Sequence, residues 1–241
     1  MGSYNIIYRF QLADNDVETV GLQLDEDTLQ LKDEYVANTP EWARLRYKQC
    51  PNCPLKPSEA PNCPVAKHLS RYTKMFDRVQ SFDKVKLLVK TPQRTTTQKT
   101  TAEKAISTFI GLVMATSGCP HTAYFRPMAR FHLPLADEQE TIYRAASMYL
   151  LAQYFRDKND QPADWHLRGL KTIYKNLSAV NQGIGARLRE ATKTDTSLNA
   201  IVSLDMYTKV IPDMIEESLF EFQNFFEVYL ELNKNQVDLK L

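Results

Sequence analysis

In residues 95–113, TTTQKTTAEKAISTFIGLV, the sequence changes from a strand pattern to a helix pattern. Threonine is β-branched and packs well on a sheet, so the run up to Lys99 predicts an edge strand. Thr100 followed by Glu103 predicts a capping box, which marks the start of a helix. Apolar residues then recur at helical spacing, at Ala105, Phe109, Leu112 and Val113. The chain is therefore expected to form strands before this point and helices after it.

Strand patterns also occur before the change from strand to helix at residues 95–113. Val85, Leu87 and Val89 alternate with lysines and supply a partner for the threonine strand. Residues 4–11 alternate in the same way, and residues 17–24 can pair with them across a turn at residues 13–16. A helix beginning at Pro64 is predicted between the two hairpins. The result is a small antiparallel β-sheet in the N-terminal region.

The residues after this change have the boundary patterns of several helices. The first helix is predicted to end at Ser117-Gly118, and a second to begin near Asp137. A third spans residues 167–180. Ser197 caps a fourth helix, and Pro212 opens the last. We predict an α+β fold, with the antiparallel sheet followed by a mainly α-helical C-terminal region. The β-containing region is assigned to residues 1–100, with a cysteine-rich loop at 49–64, and the helical region to residues 101–241, as one integrated unit.

Composition and charge exclude several classes of protein. The chain has 241 residues and a net charge of +1, whereas proteins that coat nucleic acids carry a large positive excess. The first residues have no signal-peptide pattern, and the longest apolar stretch is too short to cross a bilayer. We therefore expect a cytoplasmic protein that binds neither nucleic acid nor membrane.

The four cysteines, Cys50, Cys53, Cys63 and Cys119, form the clearest chemical pattern. Cys50 and Cys53 have C-x-x-C spacing, which allows one turn to present two thiolates to a metal ion. The loop around them is rich in proline and can form neither a helix nor an inner strand, so a metal is expected to hold its shape. Each cysteine directly precedes a proline, as some iron–sulfur ligands do. The pattern predicts a metal centre with four cysteine ligands, with zinc and a [4Fe–4S] cluster as the two choices of metal. The alternative is that the cysteines form disulfides, stay free or serve redox chemistry.

A second group of functional side chains follows Cys119. His121 is a candidate to hydrogen-bond a sulfur ligand, and Arg126, Arg130 and His132 are candidates for an anion pocket, because arginine pairs with carboxylate or phosphate through two hydrogen bonds. The alternative is that these arginines bind helix-end carbonyls and acidic neighbours.

The segments CPNCPL at 50–55, CPVA at 63–66 and ATSGCPHTAYFRPMARFHLPL at 115–135 resemble a family of uncharacterised bacterial proteins of similar length. This resemblance implies a bacterial origin. It implies no activity and no catalytic residues.

Three functions follow from these patterns. The first is a non-enzymatic interaction or regulatory protein whose metal stabilises the fold; the second is an iron–sulfur redox or gas sensor; the third is an enzyme with a His/Arg anion pocket beside the metal. No nucleotide-binding or nucleophile motif is present, which disfavours an enzyme. Phe225, Phe226 and Tyr229 indicate a protein partner or a homodimer face, and packing inward is the alternative.

Overall fold

A computed structural model describes residues 2–12, 16–32 and 39–231, with only the backbone course given for residues 207, 210–218 and 231. The turn predicted at residues 13–16 lies mostly outside these ranges. The described residues form four strands, β1 Ser3–Gln11, β2 Val17–Asp25, β3 Lys84–Lys90 and β4 Thr95–Thr101. They also form eight α-helices, α1 Pro64–Leu69, α2 Thr73–Phe76, α3 Ala102–Thr116, α4 Arg126–Arg130, α5 Glu138–Lys158, α6 Arg168–Ala191, α7 Thr196–Glu221 and α8 Glu227–Glu231. The predicted α+β class is confirmed.

The four strands form one antiparallel sheet in the order β2-β1-β3-β4. Both predicted hairpins are present, and β1 joins them by pairing with β3. Alternate side chains of β1 are buried, at Tyr4, Ile6, Tyr8 and Phe10. This face packs on α3, where the ring of Phe109 meets that of Tyr8 edge-on with centroids 5.2 Å apart.

The switch from strand to helix occurs one residue later than predicted. Thr100 pairs with Val85 in the sheet, so Thr101 becomes the N-cap, and its side chain accepts a hydrogen bond from the Lys104 amide. The helix ends as predicted, with Gly118 in the left-handed region at a φ of 91°.

Two other helix predictions are wrong in detail. The helix predicted from Pro64 is broken into α1 and α2 by the turn around Ser70. Pro212 does not open the last helix, because α7 continues through it from Thr196 to Glu221. A proline inside a helix removes one backbone hydrogen bond, and α7 accommodates that loss.

The buried side chains form two clusters. The larger joins the inner face of the sheet to α1, α3 and parts of α6 and α7. The smaller lies between α5, α6 and the segment after α7, around Ile142, Leu170 and Phe222. Phe125 and Leu177 pack against both clusters. Within the described residues, no helix combines the length and apolar character needed to cross a membrane.

Candidate ligand-binding cavity

The cysteine-rich loop forms the turn that its sequence predicts, but it is not a metal centre. The amide of Cys53 donates to the carbonyl of Cys50 at 3.0 Å, which closes the C-x-x-C turn. In the part of the chain that the structure describes, no group of three or more His, Cys, Asp or Glu side chains is arranged to hold a metal ion. The prediction of a four-cysteine metal centre formed by Cys50, Cys53, Cys63 and Cys119 is therefore wrong. The three functions that were built on this centre lose their basis.

The cysteine-rich loop is supported by an arginine, Arg187, where the sequence predicts support by a metal. Arg187 on α6 is 1 % exposed, and its guanidinium donates to the carbonyl oxygens of Trp42 at 2.6 Å, Arg44 at 2.8 Å and Leu45 at 3.0 Å. These three charge-assisted hydrogen bonds from one planar guanidinium fix the backbone just before the loop. The loop does need an external support, as its proline content indicates, and α6 supplies it.

The cysteines are free thiols. Cys63 and Cys119 are buried in the larger cluster, and Cys50 and Cys53 pack against it. Burial raises the pKa of Cys50 to about 12, and the charges of the other thiols add to the shift. As a free thiol, Cys50 is therefore protonated at neutral pH. The thiols influence one another electrostatically without forming a coordination group.

The structure separates His121 from the three residues predicted to form an anion pocket, and it separates those three from one another. The His121 ring nitrogen Nε2 lies 2.6 Å from the carbonyl oxygen of Asn52 and holds the cysteine-rich loop. The Arg130 guanidinium stacks over the ring of Tyr4, 4.3 Å from its centroid. Arg126 Nε is buried and has no partner among the described residues. His132 lines a cavity, which the other three do not.

This cavity has a volume of about 1580 Å³ and is partly open to solvent. It lies where the two buried clusters meet, between α3, α4, the start of α5, α6 and α7, and it reaches the edge of β3 and β4. Most of its inner wall is apolar, with Leu112, Met114, Phe125, Ala129, Leu177 and Leu204 among the lining residues. A large apolar cavity with a few convergent polar groups is the usual form of a small-molecule site.

Four polar groups in the wall stand out. The first is His132, whose Nε2 is hydrogen-bonded to the hydroxyl of Tyr8. Burial lowers the pKa of His132 to about 3, and the nearby charge of Arg144 contributes to the same shift. The imidazole is therefore neutral at physiological pH.

The second group is Arg144, in the second turn of α5. Its Nη2 donates to the carbonyl oxygens of Met128 at 3.0 Å and Phe131 at 3.1 Å. Burial lowers the pKa of this guanidinium, and the nearby charge of Glu140 acts in the opposite direction. Arg144 forms no salt bridge with any described residue. The wall thus contains a partly buried cation that has carbonyl partners but no paired carboxylate.

The other two groups, Tyr174 and Asn181, lie on α6. Tyr174 is buried, and its pKa is raised by burial and lowered in part by the charge of Arg144, which places these two side chains in one neighbourhood. Asn181 is 2 % exposed, and neither its amide nitrogen nor its amide oxygen has a hydrogen-bond partner among the described residues. Buried amides are almost always hydrogen-bonded, so this one is a marked exception.

The sequence pattern could have identified Tyr174 and Asn181 as candidate site residues, but it gives little indication of Arg144. Tyr174, Leu177 and Asn181 are spaced so that they share one face of a helix, which places an asparagine on an apolar stripe. Arg144 has the apolar neighbours Ile142 and Ala145, but its position beside Tyr174 arises only when α5 packs on α6.

The mouth of the cavity is basic. The exposed lysines Lys84, Lys86, Lys99 and Lys104 lie around it, with Asp137 and Glu138 as its acidic residues. With Arg144, this gives five cations against two carboxylates. The chain as a whole has a net charge of +1, so positive charge is concentrated around the cavity.

Residues 6–227 match a protein family described as a domain of unknown function (DUF6901), and the chain belongs to that family. No curated protein and no solved structure is significantly similar to it.

Proposed function

We propose that this protein binds a small organic molecule in the cavity, and that Asn181 recognises a polar group of that molecule. The observation that carries the proposal is Asn181, a residue of the cavity wall whose buried amide has no hydrogen-bond partner among the described residues. Leaving a buried donor or acceptor without a partner costs about 1–3 kcal/mol. A ligand that supplies one acceptor and one donor to this amide would offset that cost.

The lining of the cavity also supports binding, and its volume leaves room for a ligand. Ligand cavities usually measure about 300–1,000 Å³, and this one is larger, at about 1580 Å³. Its apolar wall can bury the body of a ligand, and its few polar groups can orient it. We propose binding without catalysis, since the low pKa of His132 makes the imidazole a weak base at neutral pH.

Gly111 on α3 provides a direct test, because it lines the cavity and has room for a side chain. A Cβ added there would meet only Leu204 Cδ2, at 3.6 Å, an ordinary contact. Gly111→Phe is expected to fill part of the cavity, whereas Gly111→Ala is the matched control that leaves it open. The measurement is the fluorescence of N-phenyl-1-naphthylamine, a neutral apolar probe, titrated with each variant.

We expect the wild type and Gly111→Ala to bind the probe with the same Kd, and Gly111→Phe to bind it at least about tenfold more weakly. The probe can also bind exposed aromatic side chains, such as Phe225, but Gly111→Phe would not change that binding. Equal probe binding by all three proteins would contradict the proposed function.

A further inference from the structure

The charge of Arg144 has no counter-ion in the described wall of the cavity. The carboxylate that influences it belongs to Glu140, and one oxygen of that carboxylate accepts a hydrogen bond from the Asp137 amide in the capping box of α5. Arg144 is partly removed from water, and a partly buried cation is stabilised by an anionic partner. The site can therefore accept one negative charge.

The neighbours of Arg144 do not supply that charge. Burial keeps the phenol of Tyr174 protonated by raising its pKa, and His132 is neutral because burial lowers its pKa. Both are hydrogen-bonding groups without a formal charge, so they can orient an anion without repelling it. The lysines at the mouth lie outside this group and are exposed to solvent, where they would attract an anion to the cavity.

The wall next to Arg144 is apolar and long. Tyr174 and Asn181 are seven residues apart on α6, which corresponds to about 10 Å along a helix. Leu177 lies between them on the same face, and Met114 and Ala115 of α3 also line the cavity. An extended apolar chain would therefore fit between the polar group at Arg144 and the one at Asn181.

We infer that the ligand is an amphipathic carboxylate, with its carboxylate bound to Arg144 and Tyr174, its apolar chain lying along Leu177, and a polar group at the far end of that chain bound to Asn181. A planar carboxylate matches the fork of a single guanidinium, and one negative charge matches one unpaired cation. This inference rests on the binding function proposed above and adds the chemical class of the ligand.

The test compares decanoate with decanol, which has the same chain and no charge. Each is used to displace N-phenyl-1-naphthylamine from the wild type, so the comparison needs no folded variant. We expect decanoate to bind about 10- to 100-fold more tightly than decanol, because hydrogen bonds to charged groups are among the stronger ones in proteins.

Two variants then test which arginine is responsible for the preference for decanoate over decanol. Arg144→Gln is expected to reduce the preference for decanoate to less than about threefold while decanol binding is kept. Arg130→Gln is the matched control, because Arg130 stacks on Tyr4 and does not line the cavity. It should keep the full preference. Circular dichroism checks that both variants fold, and if Arg144→Gln does not fold, the wild-type comparison decides alone.

The two proposals fail in different ways. If the probe binds but decanoate binds no better than decanol, the carboxylate is wrong and the binding function stands. Loss of the preference in Arg130→Gln together with its retention in Arg144→Gln would also overturn the assignment to Arg144. If Gly111→Phe does not weaken the binding of the probe, the cavity itself is not the site and both proposals fail.

Discussion

Asn181 is a side chain that folding alone does not explain. Its position between Leu177 and Ile184 on α6 suits an apolar residue, and a leucine, whose side chain has the same branching, would complete the buried stripe. Both amide atoms instead lie buried without a partner among the described residues. A residue that lowers stability in this way indicates a binding role, since binding sites commonly sacrifice stability for recognition.

We predict that Asn181→Leu raises the free energy of unfolding by about 1–3 kcal/mol, because two unsatisfied polar atoms leave the core. Urea denaturation measures the change. Asn199→Leu is the control, since the Asn199 amide donates to Ser81 Oγ at 2.8 Å and Asp195 Oδ2 at 3.1 Å and its loss should destabilise the fold. A lower stability for Asn181→Leu would show that this amide already has a partner.

The low pKa of His132 predicts how the stability of the protein depends on pH. Its pKa is lowered to about 3 in the folded protein, against about 6.5 in an unfolded chain. As the pH falls below 6.5 the unfolded state takes up a proton that the folded state refuses, so stability decreases until the pH reaches about 3. Between about pH 6.5 and 5.5 this loss is at most about 1 kcal/mol.

The measurement is urea denaturation of the wild type and His132→Gln across about pH 5.5–7.5, the range around the unfolded pKa of histidine. Other groups titrate in both proteins, so the difference between their pH profiles isolates His132. The wild type should lose more stability on acidification than the variant. Parallel profiles would mean that the pKa of His132 is the same in the folded and unfolded states.

Among the secondary-structure elements, α6 positions two separate features. Its C-terminal half carries Arg187, which binds the carbonyls before the cysteine-rich loop, and its middle carries Tyr174 and Asn181 in the cavity wall. The same helix therefore supports the loop and forms the candidate site. A change in the position of α6 would affect both.

We predict that Arg187→Met lowers the free energy of unfolding by about 3 kcal/mol or more, because three backbone carbonyls, one of them in a buried hydrogen bond, lose their charged donor. Arg189→Met, two residues further along α6 at an exposed position, is the matched control and should change stability by less than about 0.5 kcal/mol. Chemical denaturation measures both. If the two variants were equally stable, the loop would be held by something other than Arg187.

In the molecule as a whole, the cavity lies between two buried clusters that do not merge completely. Phe125 and Leu177 connect them, and the space that remains is the cavity. A gap of this size leaves its lining side chains without packing partners. A ligand that fills the gap is therefore expected to stabilise the whole fold.

We predict that N-phenyl-1-naphthylamine at about 100 times its Kd raises the free energy of unfolding by about 2.7 kcal/mol through mass action. The shift in the urea midpoint measures this increase. At the same probe concentration a tenfold weaker Kd limits the increase for Gly111→Phe to about 1.4 kcal/mol or less. A shift of equal size in Gly111→Phe would place the bound probe outside the cavity.

The outer surface has an apolar region of its own. Phe225 is 79 % exposed and Tyr229 is 72 % exposed, so these side chains do not pack inward. Phe220 and Val228 are also largely exposed. The protein partner or homodimer indicated by the sequence stays a prediction, as does the absence of nucleic-acid binding.

The elements whose signals are local could be predicted from the sequence alone. The alternation of Tyr4 to Phe10 requires a half-buried strand, the threonine run pairs with residues 84–90, and Asp137 with Glu140 caps α5. These features depend on residues within a few positions of one another or on a simple alternation. The cysteine turn also formed as its spacing indicates, but the spacing could not reveal what holds the loop.

The candidate site, in contrast, arises from contacts between distant parts of the chain. Arg187 is 142 residues from Leu45, whose carbonyl it binds, and Arg144 meets Tyr174 across a contact between two helices. Such encounters depend on how α5 and α6 pack against the rest of the chain, which no local pattern encodes. The same packing leaves the Asn181 amide without a partner among the described residues and places this residue in the wall of a cavity. Hydrogen bonding and desolvation depend on neighbours in space, whereas strand and helix patterns depend on neighbours in sequence.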